Sequence, residues 1–505
     1  MVQIIDVILP IFTLIVAALL TIPVFKLARK SNYKNVIAIA WFIAIFAIVG
    51  ISVANLTFSY FSIADPIALN LNINGDPASP FQSSFLIDAL SLYMAIIIVA
   101  VSIVVIIYSV FFIDSAERPT DRYFAVMLML TSSLLGAVFA GDLLTLFIFW
   151  EIATVSAAFL MMFRKNAFSI NATMKYLIMV IIASAFVLLG LSLVFGITGS
   201  LNYIAVSSAI STVSSANMSM LIIAFVFIAA GYAIEAAIVP FHFWLPDAYT
   251  AAPAPSATFL SALVDQGSYY ILIRILLYIV LPPGQGPIDW TIMLAVLAAL
   301  TMIVGNIFAL VQNDIKRLMA YICVADVGYN LIAITSATAL GVTGNLYFFL
   351  IGGLTTALAF MTVGIMNSHG FKTLDDVAGL GKKMPWVSIA LIIAGLSFAG
   401  VPPLGGFMAK YFVFTAAIEA NYSWLAVIGV LTSVLQTAYI FRLVNVMYGK
   451  EAKDDKPIVF NMNKKVFIPI FIMVAAIFIL GLFPNIVLDL IQPVINQLPF
   501  ITLFI

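Results

Sequence analysis

Fourteen stretches of roughly twenty apolar residues run through this chain, near 4–27, 35–57, 84–113, 123–140, 142–163, 172–197, 218–241, 254–278, 288–311, 315–334, 342–366, 386–420, 422–448 and 465–490. No other feature constrains the fold as strongly. In a bilayer core the backbone finds no water, so a spanning segment satisfies its N–H and C=O groups by forming a helix. The expected fold is an all-α polytopic membrane protein with about 14 transmembrane helices. Composition agrees: 64% of residues are hydrophobic and 9% charged, against about 25% charged in soluble proteins. The first stretch lacks a basic leader and a clear cleavage site, so a retained helix is expected there.

Lys and Arg set the expected orientation. They fall in or beside alternate loops: Lys26, Arg29, Lys30 and Lys34; Arg118 and Arg122; Arg164, Lys165 and Lys175; Lys316 and Arg317; Lys372, Lys382 and Lys383; and Arg442, Lys450, Lys453, Lys456, Lys464 and Lys465. By the positive-inside rule these loops face the cytoplasm, which puts both termini outside and the chain in the cell (inner or cytoplasmic) membrane. Of the 22 basic residues, only Arg274 and Lys410 escape the pattern. Arg274 is expected to snorkel from a helix end. The outer loop 58–83, with Asn70, Asn72, Asn74, Gly75, Asp76 and Pro77, is too short to fold alone, and segment 367–385 has room for a short interfacial helix. The chain stops soon after its last span, so no connecting rod along neighbouring subunits is expected.

The charge balance of 22 basic to 22 acidic residues argues against a nucleic-acid partner. One cysteine, Cys323, is too few for an intrachain disulfide or a cysteine-ligated metal cluster. No dinucleotide or Walker A loop is present, so no cofactor is expected.

Two apolar stretches are interrupted. GYAIEAAIVPFHFWLPDAYTAAPAP, residues 231–255, carries Glu235, runs to Pro240 and breaks at a loop of His242, Trp244, Pro246 and Asp247. GLSFAGVPPLGGFMAKYFVF breaks at Pro402, Pro403, Gly405 and Gly406, then carries Lys410. Paired proline- or glycine-interrupted segments in the two halves of a membrane chain mark an ion pathway, because loosened backbone is tolerated only inside protein or along a wet cavity.

Intramembrane ionisable residues are functional candidates by default, and five qualify: Glu151, Glu235, Asp265, Asp326 and Lys410. Glu151 lies nine residues past Asp142, about 13 Å along a helix and near the bilayer middle. Beside Glu235 it would make a carboxylate pair suited to sharing one proton or holding Na⁺. A buried lysine such as Lys410 can exchange a proton. Each residue also has a static reading, as a hydrogen-bonding partner of backbone or, for Lys410, as half of a fixed ion pair. His242, Pro240, Pro246, Pro402 and Pro403 are supporting residues of the breaks. A lone histidine is not a metal site, and no metal centre is expected.

Several of these pieces resemble the antiporter-like subunits shared by respiratory NADH:quinone oxidoreductase, membrane-bound hydrogenases and Mrp-type Na⁺/H⁺ antiporters. The segments are FIFWEIATVSAAFL around Glu151, VPFHFWLPDAYTAAPAPSATFLSALVDQGSYYILIR, NDIKRLMAY, LDDVAGLGKKMP, and AGVPPLGGFMAKY around Lys410. The resemblance covers roughly residues 84–450. It implies 14 helices with two inverted five-helix repeats, broken helices 7 and 12, and a midplane line of charge joining two half-channels. The implied divisions are 1–122 (helices 1–3), 123–278 (helices 4–8), 288–448 (helices 9–13) and 449–505 (last loop and helix 14). The implied partners are other membrane subunits, paralogous antiporter-like copies among them, with H⁺ or Na⁺ as the ion. Relative to the family pattern, Glu235 stands where helix 7 usually has lysine, and Asp265 where helix 8 has lysine or histidine. Thr356 and Gly352 stand where helix 11 has a lysine preceded by a histidine.

Two functions follow from different classes. In the first, the acid-rich line conducts H⁺ or Na⁺ within a multi-subunit pump or antiporter; the usual lysines are replaced mostly by carboxylates, whereas a disused site should drift apolar. In the second, the chain is a diverged, transport-incompetent subunit bridging its neighbours. A stand-alone transporter is weaker, and a redox enzyme weakest, since any electron transfer would lie in partner subunits.

Overall fold

The computed structural model describes residues 3–28, 34–63, 66–71, 83–113, 120–210, 212–280, 289–451 and 463–498. Arg29, Lys30, Arg118, Lys453, Lys456 and the Asn72–Pro77 part of the outer loop lie outside the described residues.

The helices, in chain order, begin with α1 (Ile4–Ala28), α2 (Lys34–Ile63), α3 (Ala89–Phe112), α4 (Thr120–Phe139), α5 (Leu143–Met161) and α6 (Ala167–Thr198). Then come α7 (Tyr203–Ile210), α8 (Ser215–Glu235), α9 (Trp244–Ala251), α10 (Ala254–Phe259) and α11 (Asp265–Ile273). The second half holds α12 (Thr291–Leu310), α13 (Ile315–Ser336), α14 (Ala339–Ser368), α15 (Leu380–Lys383), α16 (Pro385–Ala399), α17 (Gly405–Glu419) and α18 (Ser423–Gly449). The chain closes with α19 (Phe467–Leu482) and α20 (Asn485–Asn496). Among the described residues, 13 helices are long and apolar enough to cross a membrane. The short pair α16 and α17 stands where a broken span was expected.

The fold is not purely helical. Strands β1 (Ile67–Leu71) and β2 (Ser83–Ile87) pair antiparallel, Ile67 opposite Ile87, at the outer loop. The last apolar stretch holds one span, Lys464–Leu482, which ends eight residues earlier than expected, before Pro484, and α20 follows as a separate helix. The interfacial segment contains a single helical turn, α15.

Burial sorts the spans. In the apolar stretches of residues 254–279, α13 and α14, 94% of the residues are buried inside the protein, against 33% in α6 and 28% in residues 464–482. The central three therefore place their polar residues inside the bundle, and Asp265 and Asp326 sit on two of them. The span 254–279 is not a uniform α-helix, because residues 260–264 and 274–279 widen into π turns on either side of α11. Such turns release local backbone bonding and often occur at functional sites.

Local chemistry fixes the helix starts. Asp142 caps α5 by accepting from Thr145 N at 2.7 Å, and Asp314 caps α13 by accepting from Arg317 N at 2.8 Å. Such caps satisfy N–H groups that a helix leaves open. Each cap also lies in an isolated antiparallel bridge, Asp142 with Asn202 and Asp314 with Thr373. The bridges use equivalent bonds: Leu143 N to Leu201 O and Tyr203 N to Gly141 O in one, Ile315 N to Lys372 O and Leu374 N to Asn313 O in the other.

Candidate ion pathway

The first break begins where α8 ends, at Glu235. Expectation had carried this helix to Pro240, but a proline ring clashes with the carbonyl four residues earlier, here that of Ala236. The chain leaves the helix there, with Ala237 in the left-handed region at φ 53°. The Val239–Pro240 peptide is cis. The freed backbone is satisfied from outside the helix: Val239 N donates to Thr301 Oγ1 of α12 at 3.1 Å, and Trp244 Nε1 donates to Ile234 O at 2.9 Å. His242 and Pro246 are not in a loop. His242 lies in a 3-10 turn, Phe241–Phe243, and Pro246 in the first turn of α9.

The second break runs from Gly400 to Leu404 between α16 and α17 and contains the cis peptide Pro402–Pro403. Gly400 ends α16 at φ 78°, a conformation that favours glycine. Gly406 is required by space: a Cβ there would stand 1.8 Å from Ser397 O. Lys410 is on the first turns of α17, 5% exposed.

The five candidate residues form a row. At one end Glu151, on α5, is half-buried at the protein surface, not enclosed. Its Oε1 accepts from Ser184 Oγ of α6 at 2.7 Å. Glu151 and Glu235 are electrostatic neighbours. Glu235 is 7% exposed, and its Oε2 has no hydrogen-bond partner. Tyr176, buried on α6, lies within electrostatic range of Glu151, Glu235 and Asp265 together. Its ring packs on Trp244 with centroids 5.0 Å apart, and Trp244 meets Tyr249 edge-on at 6.4 Å. Tyr249 donates to Asp265 Oδ1.

The row continues through α13 to α17. Asp265 and Asp326 are electrostatic neighbours, and Cys323 lies near both. Asp326 is 3% exposed, and neither of its oxygens has a hydrogen-bond partner. Lys410 is its electrostatic partner. The side chain of Gln436 from α18 lies between them: its Oε1 accepts from Lys410 Nζ at 2.5 Å, and its Nε2 lies against Asp326 beyond ordinary hydrogen-bond geometry. Lys410 Nζ also donates to Ser433 Oγ at 2.9 Å and sits 4.0 Å above the Tyr329 ring. Ser433 is half-buried, so this end of the row, like the Glu151 end, lies near the protein surface.

The structure therefore gathers all five charged candidates. His242 packs against Phe243 and Phe308 at centroid separations of 4.3 and 6.3 Å. Thr356 donates to Ser261 O and Gly353 O. Among the described residues no group of three or more His, Cys, Asp or Glu forms a metal site.

Sequence reasoning missed several participants. Arg274 does not snorkel. It is 1% exposed and clamps Asp88, with Nη1 to Oδ2 at 2.5 Å and Nη2 to Oδ1 at 2.9 Å. The rings of Tyr203, Tyr270 and Tyr278 surround it. Lys316, expected at a cytoplasmic loop, is 2% exposed and donates to Thr250 O and Ala252 O at the C-terminal end of α9. In the first turn of α9, Asp247 binds both Lys175 and Arg317, at 2.6 and 3.0 Å. Tyr176, Tyr249 and Gln436 carried no signal beyond being polar groups in apolar stretches.

Residues 140–436 match the NADH:quinone oxidoreductase/Mrp antiporter transmembrane family, and residues 77–124 match the N-terminal segment of chain 5 of NADH-ubiquinone oxidoreductase (complex I). The chain belongs to this family. It is an antiporter-like, multi-pass membrane subunit. NADH-quinone oxidoreductase subunit N of Trichlorobacter lovleyi is 31% identical over 84% of this chain and 86% of its own length. Among solved structures, a subunit of an archaeal membrane-bound sulfane sulfur reductase superposes with a TM-score of 0.86 at 25% identity, over 97% of each chain. A subunit of the Mrp complex from Dietzia sp. DQ12-45-1b shares the fold, with a TM-score of 0.83 at 20% identity over 98% of each. These relatives are parts of multi-subunit membrane complexes.

Proposed function

We propose that this antiporter-like subunit conducts protons within a respiratory or antiporter-type membrane complex, along Glu151, Glu235, Asp265, Asp326 and Lys410. One observation carries the reading: five ionisable groups cross the bundle in a row, each an electrostatic neighbour of the next or linked to it by a buried tyrosine. Isolated charges in a bilayer are costly and persist where they have a function. The unpartnered oxygens of Glu235 and Asp326 keep the capacity to accept a hydrogen bond or take up an exchanging proton.

Protons are favoured over Na⁺ by the lysine in the row. An ammonium group repels a cation but can pass and regain its own proton. The widened turns flanking α11 and the two helix breaks supply the loosened backbone that a hydrated path requires. The matching cap-and-bridge arrangements at Asp142 and Asp314 support two inverted repeats, 123–278 and 288–448, placing one break in each. The distribution of Lys and Arg supports termini on the outer side, and neighbours that include paralogous antiporter-like subunits fit the family. A purely bridging role is disfavoured, because Glu235, Asp265 and Asp326 would then bury three carboxylates with nothing for them to do.

The test is Glu235→Gln in the assembled complex, reconstituted into vesicles carrying a pH-sensitive dye. Coupled proton uptake should fall to near the leak rate while assembly persists. Unchanged uptake sinks the proposal, and uptake that instead follows added Na⁺ redirects it to a sodium pathway.

A further inference from the structure

The last two helices meet at a third interruption, where α19 stops at Leu482 and α20 starts after Pro484. This stop lies beside the second break, well inside the bundle. A Cβ on Gly481 would stand 2.3 Å from Pro403 O and 2.5 Å from Gly405 N, and Gly405 itself lies against Ile351 of α14. Tyr347 of α14 donates to Leu480 O at 2.5 Å. The far end of α20 is tied to the start of α3, where Ala89 N donates to Gln497 Oε1 at 3.1 Å. α3 and α14 run side by side in constant register, because Tyr93 and Tyr108 donate to Leu346 O and Met361 O, fifteen residues apart in both helices. That register sets Ala89 level with Val342, nine residues from Ile351. α20 therefore climbs about 13 Å, obliquely, from the second break to the end of the bundle that carries β1 and β2.

Two unlike faces run along this climb. The helix packs on α3 and α14 and buries Val487, Ile491 and Val494. On the other side Asn485, Asp489, Gln492 and Asn496 follow one another at helical spacing, all exposed. Gln492 and Asn496 bond to each other at 3.0 Å. Among the described residues, the side chains of Asn485 and Asp489 have no hydrogen-bond or ionic partner. Both lie in the deeper part of the climb, Asp489 eight residues, or about 12 Å along the helix, from the tie at Gln497. Beside them Ile486 and Leu490 are each 48% exposed, as on a lipid-facing surface. Hydrocarbon offers a carboxylate or an amide nothing to bond, and an aspartate has no long stem with which to reach water.

We propose that the Asn485–Asp489 face of α20 docks a membrane-embedded helix of a neighbouring subunit, which presents a lysine or arginine to Asp489 and a hydrogen-bonding group to Asn485. Polar side chains join helices across a bilayer because the alternative is an unsatisfied group in lipid. The charge selects the occupant. An acyl chain leaves Asp489 unpaired, and the same face of a second copy brings no cation, since α20 has no lysine or arginine. The relatives' membership of multi-subunit membrane complexes makes such a neighbour available. Neither residue belongs to the charged row, so the docking face stands whether or not the row conducts protons.

The test uses the assembled complex with the photoactivatable residue benzoylphenylalanine in place of Leu490, next to the polar line but not in it. Illumination should join this chain to one membrane subunit of the complex, and mass spectrometry should place the attachment on a transmembrane segment within two helical turns of a lysine or arginine. In that background Asp489→Lys should lower the cross-linked fraction about tenfold, Asp489→Glu should keep it, and an aspartate in place of the neighbour's cation should restore it to the Asp489→Lys chain. If Asp489→Lys does not insert, the cross-link from the chain with native Asp489 decides by itself. Cross-links confined to lipid, to a second copy of this chain or to a segment without a cation overturn the proposal. So does labelling of Asp489→Cys in the assembled complex by a membrane-impermeant maleimide, which means that water covers this face.

Discussion

Glu235 and Arg274 are both buried ionisable residues, yet their surroundings give them opposite roles. Arg274 is saturated: two bonds to Asp88, two to the Tyr270 hydroxyl, and three aromatic rings around it. Such a pair is a structural clamp between the start of α3 and the end of the Ala254–Ile279 span. Removing one partner strands the other charge, a loss of about 3–5 kcal/mol. Asp88→Asn or Arg274→Met should therefore sharply lower the thermal melting temperature of the purified complex, and the double variant should recover much of it; a melting temperature indifferent to the single changes contradicts the clamp. Glu235 has an unpartnered oxygen, so Glu235→Gln should leave melting nearly unchanged while abolishing transport. The charges themselves were legible, because a carboxylate or ammonium in an apolar stretch stands out on cost alone. Their partners were not: Asp88 and Arg274 are 186 residues apart, and no local pattern records a contact made across the fold.

At the scale of elements, the two breaks flank the proposed pathway. Their positions were readable from Pro240, Pro402, Pro403, Gly405 and Gly406, but their extents were not. α8 stops at Glu235 because the proline's ring acts one helical turn upstream, and α9 forms directly after a 3-10 turn where a loop was expected. Gly406 offers a direct check. Alanine there drives a methyl group into Ser397 O, displacing α16 from α17 and Lys410 from Gln436. Gly406→Ala should abolish incorporation into the complex, seen as loss of the full-size band on native gels, whereas Ala409→Gly, which opens space on the same helix, should be incorporated. Close helix approach also depends on Gly231 of α8, whose added Cβ would come 2.7 Å from Ala183 O of α6; small residues at such crossings let spans pack without hydrophobic drive. Gly231→Ala should loosen α6 from α8 and reduce the yield of assembled complex.

Across the whole molecule, the proposed row runs from the half-buried Glu151–Ser184 pair to the half-buried Ser433. Groups acting in series are not additive: once one link is cut, cutting another adds little. Glu235→Gln combined with Lys410→Ala should transport no more slowly than the slower single variant, measured as initial proton uptake by reconstituted complex. Independent, additive losses would mean two parallel paths in place of one row.

The sequence by itself determined the membrane-spanning helical class, the approximate spans, the sites of the two breaks and the five charged candidates. All of these follow from solvation: lipid rejects polar backbone and charge, so length, apolarity and every exception to it are written locally. The tertiary structure decided which charges meet. It inserted Gln436 between Asp326 and Lys410, joined Tyr249 to Asp265, left Glu151 at the surface, buried Lys316 against the end of α9, and drew Arg274 inward from a position where a snorkelling cation was expected. Those outcomes depend on which helix faces turn toward one another. In spans apolar on nearly every side, periodicity does not specify a facing side, and only packing does.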